Sequence, residues 1–204
     1  MAATSQGLVW GIDDGDQFNF QMTLTGAEQE EDVNEGIYME VLDTETIPNV
    51  LTTWDDMPEV DLDILWENGT SMGFAVLIFL GIAATGERLA VPTGNYTLLT
   101  ELLLDKYSNL TMSENSAYWE MTATYENELL NQTGSVAVSY LKEDGFLARY
   151  SITLANETHT LSDISVIRDG LPSDIIVLLQ DNILIIGGGI AVIVILGAVV
   201  CKRR

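Results

Sequence analysis

The chain has 204 residues, a net charge of −23 from 31 acidic against eight basic side chains, 47% hydrophobic residues and one cysteine. That is enough chain for one domain with a real core. Such an acidic surface repels phosphate backbones and excludes nucleic acid as a partner, and the lone Cys201 excludes an intrachain disulfide framework or a cysteine-built zinc site.

Alternation with a period of two is visible first in DQFNFQMTLT, where Phe18, Phe20, Met22 and Leu24 share one face and Gln17, Asn19, Gln21 and Thr23 the other. This predicts a half-buried strand. Glu28 to Glu67 then holds 14 acids and no base, with AEQEEDVNEG and TTWDDMPEVD as exposed stretches. Within it Trp54 stands beside acids, either as a surface aromatic or packed under its own loop. DLDILWENGT alternates up to Asn68 and Gly69, a hairpin signal, and the apolar run Gly73 to Ala84, too short to cross a bilayer, reads as a central strand. Leu98, Leu99, Leu102 and Leu103 recur at helical spacing behind Asn95 or Thr97 as cap, predicting one helix of about ten residues packed on the sheet.

Four strands follow as a meander from Ala117 to Arg168. The first places Trp119, Met121, Ala123 and Tyr125 inward and Glu120, Thr122, Thr124 and Glu126 on a wet face. Gly170 and Pro172 end the sheet, and Ser173 with Asp174 reads as a helix start. From Ile183 to Val200 there are 18 residues without charge, amide or hydroxyl, about 27 Å as a helix, which predicts a membrane span.

The fold expected is therefore mainly β: antiparallel sheets in a sandwich or a curved half-barrel, with one short helix and a C-terminal transmembrane helix. The organisation expected is an extracellular domain over 1–170, a juxtamembrane stalk over 171–182, a span over 183–201 and a cytoplasmic stub over 202–204. Lys202, Arg203 and Arg204 after the span, against Asp174 and Asp181 before it, orient the C-terminus to the cytoplasm and the domain outward. Asn-x-Thr acceptor patterns at Asn68, Asn95, Asn109, Asn131 and Asn156 agree with an exported domain, three of them at predicted turns. The small residues Ala2, Ala3 and Thr4 resemble those that follow a removed leader. Gly187 and Ala191 have the small-xxx-small spacing that lets two membrane helices pair as a homodimer.

Chemistry is sparse. His159 is the only histidine, so a metal site cannot be built on a histidine pair, and nothing singles out two acids for glycosidase work. Asp13, Asp14 and Asp16 resemble the start of a calcium loop without its closing glutamate, which leaves weak Ca²⁺ binding as the one candidate cofactor, with Glu28 to Asp32 as a second carboxylate group.

Three blocks, VWGIDDGDQFNF, PTGNYT and YLKEDGFL, resemble archaeal, Asgard-type single-pass surface proteins of the choice-of-anchor domain kind. The matching positions are Trp10, Gly11, Gly15, Asp16, Phe18 and Phe20; Pro92, Gly94, Asn95 and Tyr96; and Lys142, Asp144, Gly145 and Leu147. The resemblance implies an exported, anchored β domain and brings no catalytic residue. The reading of the sequence is a membrane-anchored, N-glycosylated surface protein, not an enzyme, with an envelope, adhesion or recognition role toward an unidentified extracellular partner. The alternative is a carrier or binder of an apolar ligand in a pocket between a curved sheet and the helix near Leu98.

Overall fold

The computed structural model describes residues 2–27, 32–72, 88–127, 131–156 and 158–182. Eight strands form one sheet: β1 (Gln17–Thr25), β2 (Val33–Thr44), β3 (Val60–Trp66), β4 (Leu110–Glu114), β5 (Tyr118–Asn127), β6 (Gln132–Leu141), β7 (Leu147–Asn156) and β8 (Thr160–Arg168). Their order is β3-β2-β1-β8-β7-β6-β5-β4, and every neighbouring pair is antiparallel. The meander β4 to β8 is joined to the meander β1 to β3 by the β1–β8 ladder, in which Phe20 faces Arg168 and Leu24 faces Ile164.

One face of this sheet carries the core. Phe20 and Met22 of β1, Ile37, Met39 and Val41 of β2, Trp119 and Met121 of β5, and Val138 and Tyr140 of β6 are all buried in one cluster. Helix α1 (Tyr96–Lys106) lies on that face through Leu99, Leu102 and Leu103, and Thr100 Oγ1 accepts the indole N–H of Trp119 at 2.8 Å. Asn95 is its cap: the side-chain carbonyl accepts from Leu98 N at 3.1 Å, as the sequence suggested.

The loop between β2 and β3 crosses the core face of the sheet. β3 and β5 stand six strands apart, which in a flat sheet is about 29 Å. Trp54, on the connection leading into β3, nevertheless sits with its ring 6.4 Å from that of Trp119 on β5. One eight-stranded antiparallel sheet, not a sandwich of two, is the architecture of the described residues. Trp54 is 2% exposed, so it packs under its own loop and the surface-aromatic reading is corrected.

The three sequence blocks meet at one corner. Val9 and Thr93 form a bridge, Val91 N donates to Gly145 O at 2.8 Å, and the Tyr96 hydroxyl donates to Lys142 O at 3.1 Å. A Cβ on Gly11 would stand 2.8 Å from the Asp144 backbone, and one on Gly145, whose φ is +74°, would stand 2.0 Å from Val91 O. Two of the motif glycines are therefore demanded by close backbone approach. Asp144 itself reaches Arg168 at 2.7 Å, with both side chains about 15% exposed, and the guanidinium lies 4.2 Å from the centre of the Phe18 ring.

Of two expectations about apolar segments, one falls outside the described residues and one needs correction. Among the described residues β3 stands at the end of the strand order, and the turn through Asn68 and Gly69 is closed by Trp66 N donating to Thr70 O at 2.9 Å; the run Gly73 to Ala84, expected as a central strand, lies outside the described residues. The correction concerns the anchor. Among the described residues no helix is long and apolar enough to cross a membrane. The last helix, α2 (Asp174–Asp181, capped by Ser173), has eight residues, about 12 Å and less than half a hydrocarbon slab. It lies against the sheet, where Val177 is buried with Tyr118, Leu141 and Ala148. The expected span from Ile183 to Val200, its basic flank Lys202, Arg203 and Arg204, and the small residues Gly187 and Ala191 lie outside the described residues. The transmembrane helix, the single-pass surface localisation, the membrane as a partner and the dimer through a membrane helix are accordingly withdrawn from the functional reading.

Candidate functional site

The residues singled out in the sequence do not converge. Asp13, Asp14 and Asp16 are spent on their own turn: Asp16 Oδ2 accepts from Asp13 N at 2.9 Å, and Asp14 Oδ1 accepts from the Thr44 hydroxyl at 3.0 Å. Among the described residues no group of three or more His, Cys, Asp or Glu is placed to hold a metal ion. His159 sits in the β7–β8 turn beside Thr158. The space expected between sheet and α1 is occupied by Trp54, Trp119, Tyr140 and the α1 leucines.

The five acceptor asparagines separate into two kinds. Asn68 and Asn156 have one geometry: each side-chain carbonyl accepts both the N–H and the hydroxyl of the threonine two residues on, at 2.6 to 2.9 Å. Asn68, Asn109 and Asn131 are exposed, and Asn156 is half-buried. Asn95 is occupied, donating to Gln6 O at 2.8 Å while capping α1.

One recess lies on the opposite face of the sheet from the core. Met121, Val138, Tyr150 and Val166 face one another across β5 to β8 on the core side, so the flanking registers point outward. One outward row runs Thr122, Ala137, Ser151, Ser165; the next runs Glu120, Ser139, Arg149, Ile167. Most of these side chains are too short to build a second layer. They floor a groove of about 260 Å³.

Arg149 reaches this face because of a bulge. Ser139 pairs with Arg149 but Tyr140 pairs with Leu147, which leaves Ala148 as an extra residue. Strict alternation from Leu147 would have turned Arg149 into the core and Tyr150 out; the bulge buries Tyr150 and puts Ala148 and Arg149 both on the outer side. Ala148 then seats Val177 of α2. Arg149 forms an ion pair with Asp174 at 3.0 Å and lies 4.9 Å from the Tyr118 ring centre. Burial holds the Tyr118 hydroxyl above the usual tyrosine range, with the nearby Arg149 charge opposing, and that hydroxyl donates to Pro172 O at 3.3 Å.

A second recess of about 220 Å³ opens between α2 and the sheet, walled by Tyr118, Val177 and Leu178 and by the carboxylates of Asp174 and Asp181. The two recesses share Glu120 and Arg149, so they meet there. Glu120 is half-buried. Its two oxygens accept from the Ser139 hydroxyl at 2.6 Å and the Ser113 hydroxyl at 3.2 Å, and among the described residues it has no ion-pair partner. A larger, open depression of about 710 Å³ lies by Trp66 and Asn68 of β3 and its turn, where the chain runs on into segments outside the described residues.

Sequence reasoning identified the wet face of β5, including Glu120 and Thr122, but not the site. The signal available was the run of small side chains at alternate positions of β6 and β7 (Ser135, Ala137, Ser139; Ser151, Thr153), an outer face left without bulk. No family model matches this chain, and no curated protein matches it either, so no residue role comes from a relative.

Proposed function

We propose that this chain is a small-molecule-binding β domain whose ligand lies along the outer face of β5 to β8 and under α2, and that it acts as a binder, not as a catalyst. The observation that carries this reading is the meeting of two recesses at Glu120 and Arg149, over a floor whose side chains are too short to fill it. The alternative drawn from the sequence, an apolar-ligand binder on a curved sheet, is kept, with the ligand moved from the core face to the outer one. The walls are mixed in character. Ile167, Val177, Leu178 and the Thr122 methyl supply apolar surface, while Glu120 and the serines supply orientation, which suits an amphipathic molecule. The lining joins one guanidinium to carboxylates and hydroxyls, and His159 is not part of it, so the arrangement supports recognition better than proton transfer.

Ala137→Phe tests the proposal. Ala137 is half-buried in the middle of the floor and faces away from the core, so the added ring fills the groove without displacing core side chains. The full chain and the variant are screened by thermal shift against amphipathic small molecules. Ligands that stabilise the natural chain should lose their effect on Ala137→Phe; ligands that stabilise both equally would place binding elsewhere and remove this groove from consideration.

A further inference from the structure

We infer that the groove selects an organic cation, a primary ammonium carried on an apolar body, with Glu120 as its counter-charge. This deepens the binding proposed above and rests on it. Three features of the joined recesses point the same way.

Glu120 is the first. It is a carboxylate half withdrawn from water, oriented by two hydroxyl donors and left without a cation among the described residues. A carboxylate so placed is held in geometry by neutral groups and gains most from a ligand that brings a positive charge, since the attraction strengthens as water is displaced. Ser139, at 4% exposure, cannot swing away and fixes one oxygen.

Arg149 is the second. As the one cation in the lining it is the natural rival for an anionic ligand, but its charge is already engaged by Asp174 at 3.0 Å and its plane lies over Tyr118. An anion would have to compete with Asp174. The same wall carries Asp181, whose Oδ1 accepts from Ser116 N at 2.8 Å, so three carboxylates stand against one guanidinium where the recesses meet α2.

The long-range field is the third. Residues 1–181 carry a net charge of −26, which concentrates small cations at any cleft on this domain and depletes anions. Beyond Glu120 the floor continues over Thr122, Ala137, Ser151 and Ser165, which presents methyl and methylene surface to an alkyl chain and leaves hydroxyls at its sides. An ammonium at Glu120 thus sets its own body along the groove.

The experiment uses the full chain with three probes of equal length: hexylammonium, hexanol and hexanoate. Calorimetry at low ionic strength should show hexylammonium binding at least ten-fold more tightly than the other two. Glu120→Gln should weaken hexylammonium at least ten-fold and leave hexanol unchanged, whereas Glu126→Gln, an exposed acid outside the lining, should have no effect and so separates the site from general attraction to an acidic surface. Hexanoate or hexanol binding as tightly as hexylammonium, or Glu120→Gln retaining the amine, overturns the cation assignment; binding that Ala137→Phe still abolishes would then leave the groove reading standing. If none of the three binds the natural chain better than Ala137→Phe, the groove reading fails as well.

Discussion

Breaking the contact between Asp144 and Arg168 is the sharpest test of how the two halves of this sheet are held together. Asp144 lies in the β6–β7 turn and Arg168 ends β8, where it stacks on Phe18 of β1, so the pair ties the meander to the N-terminal strands at the corner where the sequence blocks meet. Removing one partner of a buried pair typically costs about 3–5 kcal/mol, because a charge stays behind without compensation. The low end applies here. Each side chain keeps some 15% exposure, and the 2.7 Å approach is an ionic contact without the alignment of a good hydrogen bond. Asp144 Oδ1 also accepts from Phe146 N at 2.9 Å, worth about 1 kcal/mol more. Asp144→Asn, which keeps that acceptor, should cost about 3 kcal/mol and Asp144→Ala about 4 kcal/mol. Asp144→Asn combined with Arg168→Met should recover much of the loss, since methionine still covers Phe18 and no charge is stranded. Urea unfolding followed by tryptophan fluorescence measures all three, with Trp54 and Trp119 as buried reporters. An Asp144→Ala variant within about 1 kcal/mol of the natural chain would refute the corner as a structural clamp.

Gly145→Ala should destabilise by at least about 2 kcal/mol, since alanine resists the positive φ and its Cβ would stand 2.0 Å from Val91 O; the urea midpoint reads this, and an unchanged midpoint refutes it. Alkaline stability follows from Tyr96, Tyr140 and Tyr150, whose hydroxyls burial raises far above the usual tyrosine range. Above about pH 10 the unfolded chain releases protons that the native state retains, so stability should fall as pH rises, by up to about 1.4 kcal/mol per pH unit for each. Absorbance at 295 nm should then show a set of tyrosines that ionise only as the chain unfolds, and smooth ionisation of every tyrosine in the native state would contradict it. Presented to an oligosaccharyltransferase, the chain should take sugar at the exposed Asn68, Asn109 and Asn131 ahead of the half-buried Asn95, whose amide is committed to Gln6 and whose carbonyl caps α1. Mass-spectrometric site mapping checks this, and equal occupancy at Asn95 refutes it.

What could be read in advance was whatever depends on near neighbours in the chain. The alternation of β1 and β5 appears as buried Phe20, Met22, Trp119 and Met121, and the Leu repeat behind Asn95 appears as α1 with that residue as its cap. The turns of the last four strands fall where Gly145 and the Asn156 to His159 loop mark them. Strand order is a different kind of fact. Nothing local tells β1 to pair with β8 across the length of the domain. The crossing of the Trp54 loop over the core face to reach Trp119 was equally hidden, because it joins residues far apart in the chain.

The groove was illegible for a narrower reason, which also explains why it exists. In LARYSITL a strict period of two would have placed a guanidinium in the core; one extra residue at Ala148 resolves that conflict and, in doing so, turns Arg149 outward beside Ser139 and opens a seat for Val177. The conflict is written in the sequence, but its resolution is not: a bulge at Ala148 and a break in the strand before Tyr150 satisfy the same burial pattern. Only the register across β6 and β7 decides between them, and it decides for the arrangement that brings Glu120, Arg149 and α2 to one place. A site built by such a correction is carried by backbone geometry more than by reactive side chains. Its own residues, short alcohols, one guanidinium and a few carboxylates, give no motif to find, and its meaning appears only when the outer rows of β5 to β8 are seen to carry short side chains beside α2.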